Sequence, residues 1–148
     1  MTSETLIASK QGALARRRSP LAALSGTGPR YLLTAVCAAS AGVHAGIVPE
    51  HLTEAGPRLA TVFAGTAALL LLAAAWTSRP RYDAWAPAAA AVLLTAIATA
   101  YLLSRTAGLP GLIGDPEAVD PIGLVTSVGE LLGAVAGIVL YLNREEPA

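Results

Sequence analysis

Four stretches of the chain are almost continuously apolar, at residues 31–48, 59–78, 84–104 and 122–142, and polar, glycine or proline residues bound each one. Each holds about 18–21 residues, which at 1.5 Å per residue crosses a hydrocarbon core roughly 30 Å thick. This pattern predicts an all-α fold, a four-helix transmembrane bundle over residues 30–143. Pro87 falls inside the third stretch but close to its start, where a missing N–H costs a helix little. Residues 1–29 mix Ser, Gly, Pro, Lys and Arg without apolar periodicity and predict a disordered cytoplasmic tail. Residues 144–148 form a second, short one. Arg16, Arg17 and Arg18 precede an apolar run, as in a cleaved leader, yet that run is long, carries His44 and is followed by three more. A retained first helix is expected.

Composition agrees with burial in lipid. The chain is 54% apolar and 14% charged, against about 25% charged residues in an ordinary soluble domain. Its formal net charge is zero, so no nucleic-acid partner is expected. The single cysteine, Cys37, excludes an internal disulfide and any paired-cysteine metal or redox motif. Charge distribution sets the orientation. Lys10, Arg16, Arg17, Arg18, Arg30, Arg79, Arg81 and Arg144 fall on one side of the four spans, and only Arg58 and Arg105 on the other. The positive-inside rule then places the N and C termini in the cytoplasm of a bacterial cell, the protein being multi-pass in the cytoplasmic membrane. Tyr31, Trp76, Tyr82, Trp85 and Tyr141 collect at the same inner interface.

The last span contains the one carboxylate inside an apolar stretch. Glu130 lies ten residues past Asp120, roughly 15 Å deep and near the midplane. Insertion of an acidic residue there costs about 2.5–3.5 kcal/mol, which the eleven Leu, Ile and Val residues of the span offset at about 0.3–0.6 kcal/mol each. Steps of about 100° put Gly123, Thr126, Gly129, Glu130, Gly133 and Gly137 on one arc. Leu124, Val125, Val128, Leu131, Leu132, Val135, Ile138 and Val139 fill the opposite, lipid-facing arc. Gly129, Gly133 and Gly137 make a double GxxxG pattern, a helix-packing face serving the bundle itself, a homo-oligomer or a larger membrane complex. In the first span Thr34, Cys37, Ser40, Ala41 and His44 share an arc, with Leu32, Val36, Val43 and Ile47 opposite.

His44 and Glu130 therefore both point into the bundle, and their Cα–Cβ bonds lean toward each other along antiparallel helices. Glu130 is deeper by about 6–9 Å. Loop residues Glu50, His51, Glu54, Asp115, Glu117 and Asp120 gather at the outer mouth. Imidazole and carboxylate ligands suit a borderline divalent cation, so His44, Glu50, His51 and Glu130 are the expected metal ligands, for zinc, nickel or copper. Glu54, Asp115, Glu117 and Asp120 are possible outer-loop contributors. Two other readings use the same residues: a proton or solute transport component working through Glu130, and an accessory or assembly subunit docked by its glycine face. No set of catalytic residues stands out.

The strings His44-Ala45-Gly46-Ile47-Val48-Pro49-Glu50-His51 and Gly108-Leu109-Pro110-Gly111, followed by Pro116-Glu117-Ala118-Val119-Asp120 and Glu130, resemble those of small four-span bacterial integral membrane proteins. The resemblance covers most of residues 31–142. It implies an architecture and no reaction.

Overall fold

The computed structural model describes residues 27–79, 85–112 and 114–143. Helix α1 runs Thr27–Gly46, α2 Val48–Glu54, α3 Pro57–Thr77, α4 Trp85–Thr106 and α5 Pro121–Leu142. No strand occurs among the described residues. Four helices are long and apolar enough to cross a membrane, the first taking in α1 and α2 together as Thr27–Glu54. The protein is an all-α, multi-pass membrane bundle.

Each long helix packs on its neighbours in sequence, α1 on α3, α3 on α4 and α4 on α5, and α5 closes the ring against α1. Small residues make this possible. The core contains Leu33, Cys37 and Ala41 of α1, Leu70 and Ala74 of α3, Ala90, Ala91 and Leu94 of α4, and Ala134 and Ala136 of α5. Leu71, Leu72, Val92, Leu102, Val125, Leu132 and Val135 are exposed instead. Large side chains outside and alanines inside invert the soluble pattern, because helix association in lipid depends on close approach rather than on hiding apolar surface.

The helix ends carry the polar chemistry. Asp120 caps α5, its side chain accepting from the Gly123 amide at 2.5 Å, and Pro121 follows in the first turn. Gly56 turns the chain between α2 and α3 at φ +89°, a conformation other residues rarely adopt, and Pro57 opens α3. At the opposite end of the bundle Arg30 of α1 donates from Nε to the Thr77 carbonyl at 2.9 Å and from Nη2 to the Ser78 carbonyl at 2.6 Å.

The sequence boundaries shift in two places. Residues 27–29, expected in the tail, already belong to α1, and residues 1–26 and 144–148 lie outside the described residues, as do 80–84 of the expected basic turn. The segment after the first span, expected as a loop from Pro49, is the short helix α2. Proline there occupies a first-turn position, where its missing N–H has no intrahelical partner to lose.

Candidate functional site

The lipid-facing arc of α5 reads out as expected: Leu124, Val125, Val128, Leu131, Leu132, Val135 and Ile138 are exposed, with Val139 half-buried. Its inner face is broader than the glycine arc, since Ser127, Ala134 and Ala136 are buried together with Glu130, Gly133 and Gly137. On α1 the buried residues are Leu33, Cys37, Ser40 and Ala41, with Thr34 and His44 half-buried beside them. Val36, Val43 and Ile47, placed on the outer arc by periodicity, are half-buried rather than exposed. Val36 is drawn inward because α5 has no side chain opposite it: a Cβ on Gly133 would lie 2.7 Å from Val36 Cγ1.

The glycines differ in what they meet. A Cβ on Gly137 would lie 2.6 Å from the Pro87 carbonyl oxygen of α4, and one on Gly133 would meet Val36 and Leu94 side chains. One on Gly129 would have nothing within 4 Å. The close approaches at Gly133 and Gly137 are therefore made to α1 and α4 of the same chain.

Glu130 is the one buried carboxyl among the described residues, 1% exposed. Its Oε1 accepts a 2.5 Å hydrogen bond from the Ser40 hydroxyl across the α1–α5 seam, and its Oε2 has no partner among the described residues. An unpartnered buried polar atom costs on the order of 1–3 kcal/mol, more for a charged group. One turn further along α1, His44 Nδ1 lies 2.9 Å from the Ser40 carbonyl oxygen and 3.4 Å from the Ser40 hydroxyl. A carbonyl only accepts, so Nδ1 carries a proton and, in the neutral ring, Nε2 holds the free lone pair. The imidazole N–H donates to the Ser40 main-chain carbonyl, with the Ser40 hydroxyl oxygen next to it at 3.4 Å, and that hydroxyl donates to the carboxyl. Beyond His44, Phe63 of α3 presents its ring 5.4 Å from the His44 ring and 4.3 Å from that of His51, centroid to centroid.

Of the expected metal ligands, His44 and Glu130 are joined, but through Ser40 rather than directly. His51 reaches the same end of the site through Phe63, while Glu50 and Glu54 lie exposed on α2. Among the described residues no group of three or more His, Cys, Asp or Glu side chains is placed to hold a metal ion. The set His44, Glu50, His51 and Glu130 is thus not gathered around one point. Two of the loop carboxylates are engaged elsewhere: Arg105 Nη1 pairs with Glu117 at 2.9 Å and Arg105 Nη2 with Asp120 at 3.0 Å. Asp115 is exposed.

Ser40 and Phe63 are the site residues that sequence reasoning did not single out for chemistry. Ser40 was legible as a polar position on the inner arc of α1, whereas the one phenylalanine of the chain has no signature within an apolar span. The chain matches no family model, no curated protein and no solved structure.

Proposed function

We propose that this multi-pass membrane protein handles protons through Glu130, with Ser40 and His44 as the relay that connects the buried carboxyl to one membrane face. The observation that carries the reading is the 2.5 Å hydrogen bond from Ser40 to a fully buried carboxyl whose second oxygen is unpartnered. A polar group maintained at the depth of Glu130, against an insertion cost of about 2.5–3.5 kcal/mol, is a functional candidate by default. The transfer balances without any further reactant. Nε2 of His44 takes up a proton, the Nδ1–H turns from the Ser40 carbonyl to the Ser40 hydroxyl oxygen 3.4 Å away and gives up its proton there, and the Ser40 hydroxyl proton moves to Glu130 Oε1. His44 is left neutral with its proton on Nε2, and Glu130 becomes the neutral acid.

The distribution of Lys and Arg supports an outward-facing His44 end and a cytoplasmic location for both termini, in a bacterial cytoplasmic membrane. Divalent metal binding by His44 and His51 is the weaker reading, because both imidazoles lie against the Phe63 ring and no third ligand of the kind a zinc site ordinarily needs is placed with them among the described residues. An accessory subunit docked through the glycine face is weaker too, as Gly133 and Gly137 are already met by the chain's own helices.

The test is infrared difference spectroscopy on the protein in proteoliposomes during a pH jump, alongside proton uptake by an entrapped dye. The reading expects a carboxylic-acid carbonyl band that vanishes in Glu130→Gln and is slowed in Ser40→Ala. A Glu130→Gln protein with an unchanged band and unchanged uptake overturns it. Stoichiometric zinc retention lost in His44→Ala would put the metal reading in its place.

A further inference from the structure

We infer that the Phe63 ring is a plug that separates the Glu130–Ser40–His44 chain from water at the α2 end of the bundle. The inference deepens the relay reading by naming what controls access to it. Three elements converge on this ring: His44 from α1, His51 from α2 and Phe63 itself from α3. Exposure rises along the same line, from Glu130 and Ser40, at 1% and 3%, to half-buried His44, Phe63 and His51. The ring thus lies beside His44, at the outer end of the buried polar chain. A phenyl group offers no hydrogen bond, so it interrupts a file of water as the hydrophobic constriction of a channel does.

Helix α2 has no buried residue of its own, continues the hydrogen-bond ladder of α1 through Ile47 and packs on α3, so it sets His51 against the Phe63 ring from the outer side of the bundle. His44 is fixed separately by its bond to the Ser40 carbonyl, which lies within α1.

Cys37 supplies a native reporter. It is the only cysteine, is fully buried, and lies three residues before Ser40 on the inner face of α1. The experiment measures the rate at which a small water-soluble methanethiosulfonate modifies Cys37 in the full-length protein in nanodiscs. Wild type is expected to react slowly and Phe63→Ala at least about tenfold faster, while Phe63→Trp, which keeps the space filled, stays near the wild-type rate. Phe63→Leu, a milder change for use should Phe63→Ala fail to fold, is expected to accelerate the reaction by about threefold or more. Val92→Ala, on the exposed face of α4, measures general loosening. Acceleration in Val92→Ala equal to that in the Phe63 variants, or no acceleration in either Phe63→Ala or Phe63→Leu, overturns the plug. The infrared band of Glu130 does not depend on this outcome, so loss of the plug and loss of the relay are separately visible.

Discussion

The hydroxyl of Ser40 and the carboxyl of Glu130, ninety residues apart in sequence, meet at 2.5 Å in the middle of the bundle. The contact ties α1 to α5 and leaves Glu130 Oε2 as a buried atom without a partner among the described residues. The bundle therefore tolerates a polar defect that an apolar residue of similar volume would remove.

Stability and function should consequently part company at this position. Glu130→Leu is expected to insert and fold at least as well as wild type, because it removes an insertion cost of about 2.5–3.5 kcal/mol. Ser40 then loses its acceptor at a cost of about 1 kcal/mol, and it can turn back to a carbonyl of its own helix. Ser40→Ala leaves the carboxyl with no donor at all and should destabilise by about 1–3 kcal/mol. Reversible unfolding in bilayers by steric trapping measures both. A Glu130→Leu protein far less stable than Ser40→Ala would mean that the carboxyl is retained for packing and not for chemistry.

Three glycines in one repeating pattern should give three different responses to alanine. Gly137→Ala drives a methyl group into the Pro87 carbonyl of α4, where backbone must shift, and a loss of about 1–3 kcal/mol is expected. Gly133→Ala presses on Val36 Cγ1 and Cβ and on Leu94 Cδ1, side-chain atoms rather than backbone, so the loss should be smaller than at Gly137 but not negligible, because β-branched Val36 has little rotamer freedom to give way. Gly129→Ala meets nothing and should be neutral or slightly stabilising through helix propensity, by up to about 1 kcal/mol. Thermal unfolding of the three variants in one detergent gives the ranking. An equal effect at all three positions would mean that an additional partner covers Gly129.

The helices were legible because their apolar stretches are long, and the outer face of α5 because its large side chains keep to one arc. Helix α2 was not, since seven residues opening on Val48-Pro49 give too short a period to separate from a turn. Periodicity placed Ser40, His44 and Glu130 inside but set His44 and Glu130 at different depths. The difference is taken up by Ser40, one turn nearer the midplane than His44, and the hydrogen bond depends on a helix rotation that sequence spacing leaves free. The partner of the acidic mouth was not legible for a related reason. Glu117 and Asp120 read in sequence as outer-loop contributors to a cation site, and no spacing rule showed that Arg105, at the end of α4, would be directed at both.

That Arg105 cluster should behave as an anchor for the segment between α4 and α5. Besides its two ion pairs, Arg105 donates from Nη1 to the Ala118 carbonyl at 2.6 Å and lies 4.8 Å from the centre of the Tyr101 ring. Asp120→Ala removes an ion pair and the α5 cap together and is expected to cost about 1–2 kcal/mol. Asp120→Asn keeps an oxygen for the Gly123 amide and should cost about half of that, while Glu117→Gln, at a position 40% exposed, should cost well under about 1 kcal/mol. Melting curves at low and high salt separate the contributions, because only the ion-pair share is screened. A salt-independent loss in Asp120→Asn would refute that assignment.

At the other end of the bundle, Arg30 reaches the Thr77 and Ser78 carbonyls of α3, while the Thr77 and Ser78 hydroxyls of α3 and its cap serve carbonyls one turn earlier. The last carbonyls of a helix lack intrahelical donors and carry partial negative charge, so a guanidinium from a neighbouring helix satisfies both demands at once. Thr34 and Thr77, whose hydroxyl oxygens lie 3.1 Å apart, brace the same junction of α1 and α3. Lysine has the charge without the planar pair of donors, so Arg30→Lys should recover less than half of the loss of about 1–2 kcal/mol expected for Arg30→Ala. Hydrogen exchange localises the effect: faster exchange in Arg30→Ala should be confined to the last turn of α3 and the first turn of α1. Equal unfolding free energies for Arg30→Lys and wild type would show that charge alone matters there, and that the two-carbonyl geometry at Thr77 and Ser78 contributes nothing.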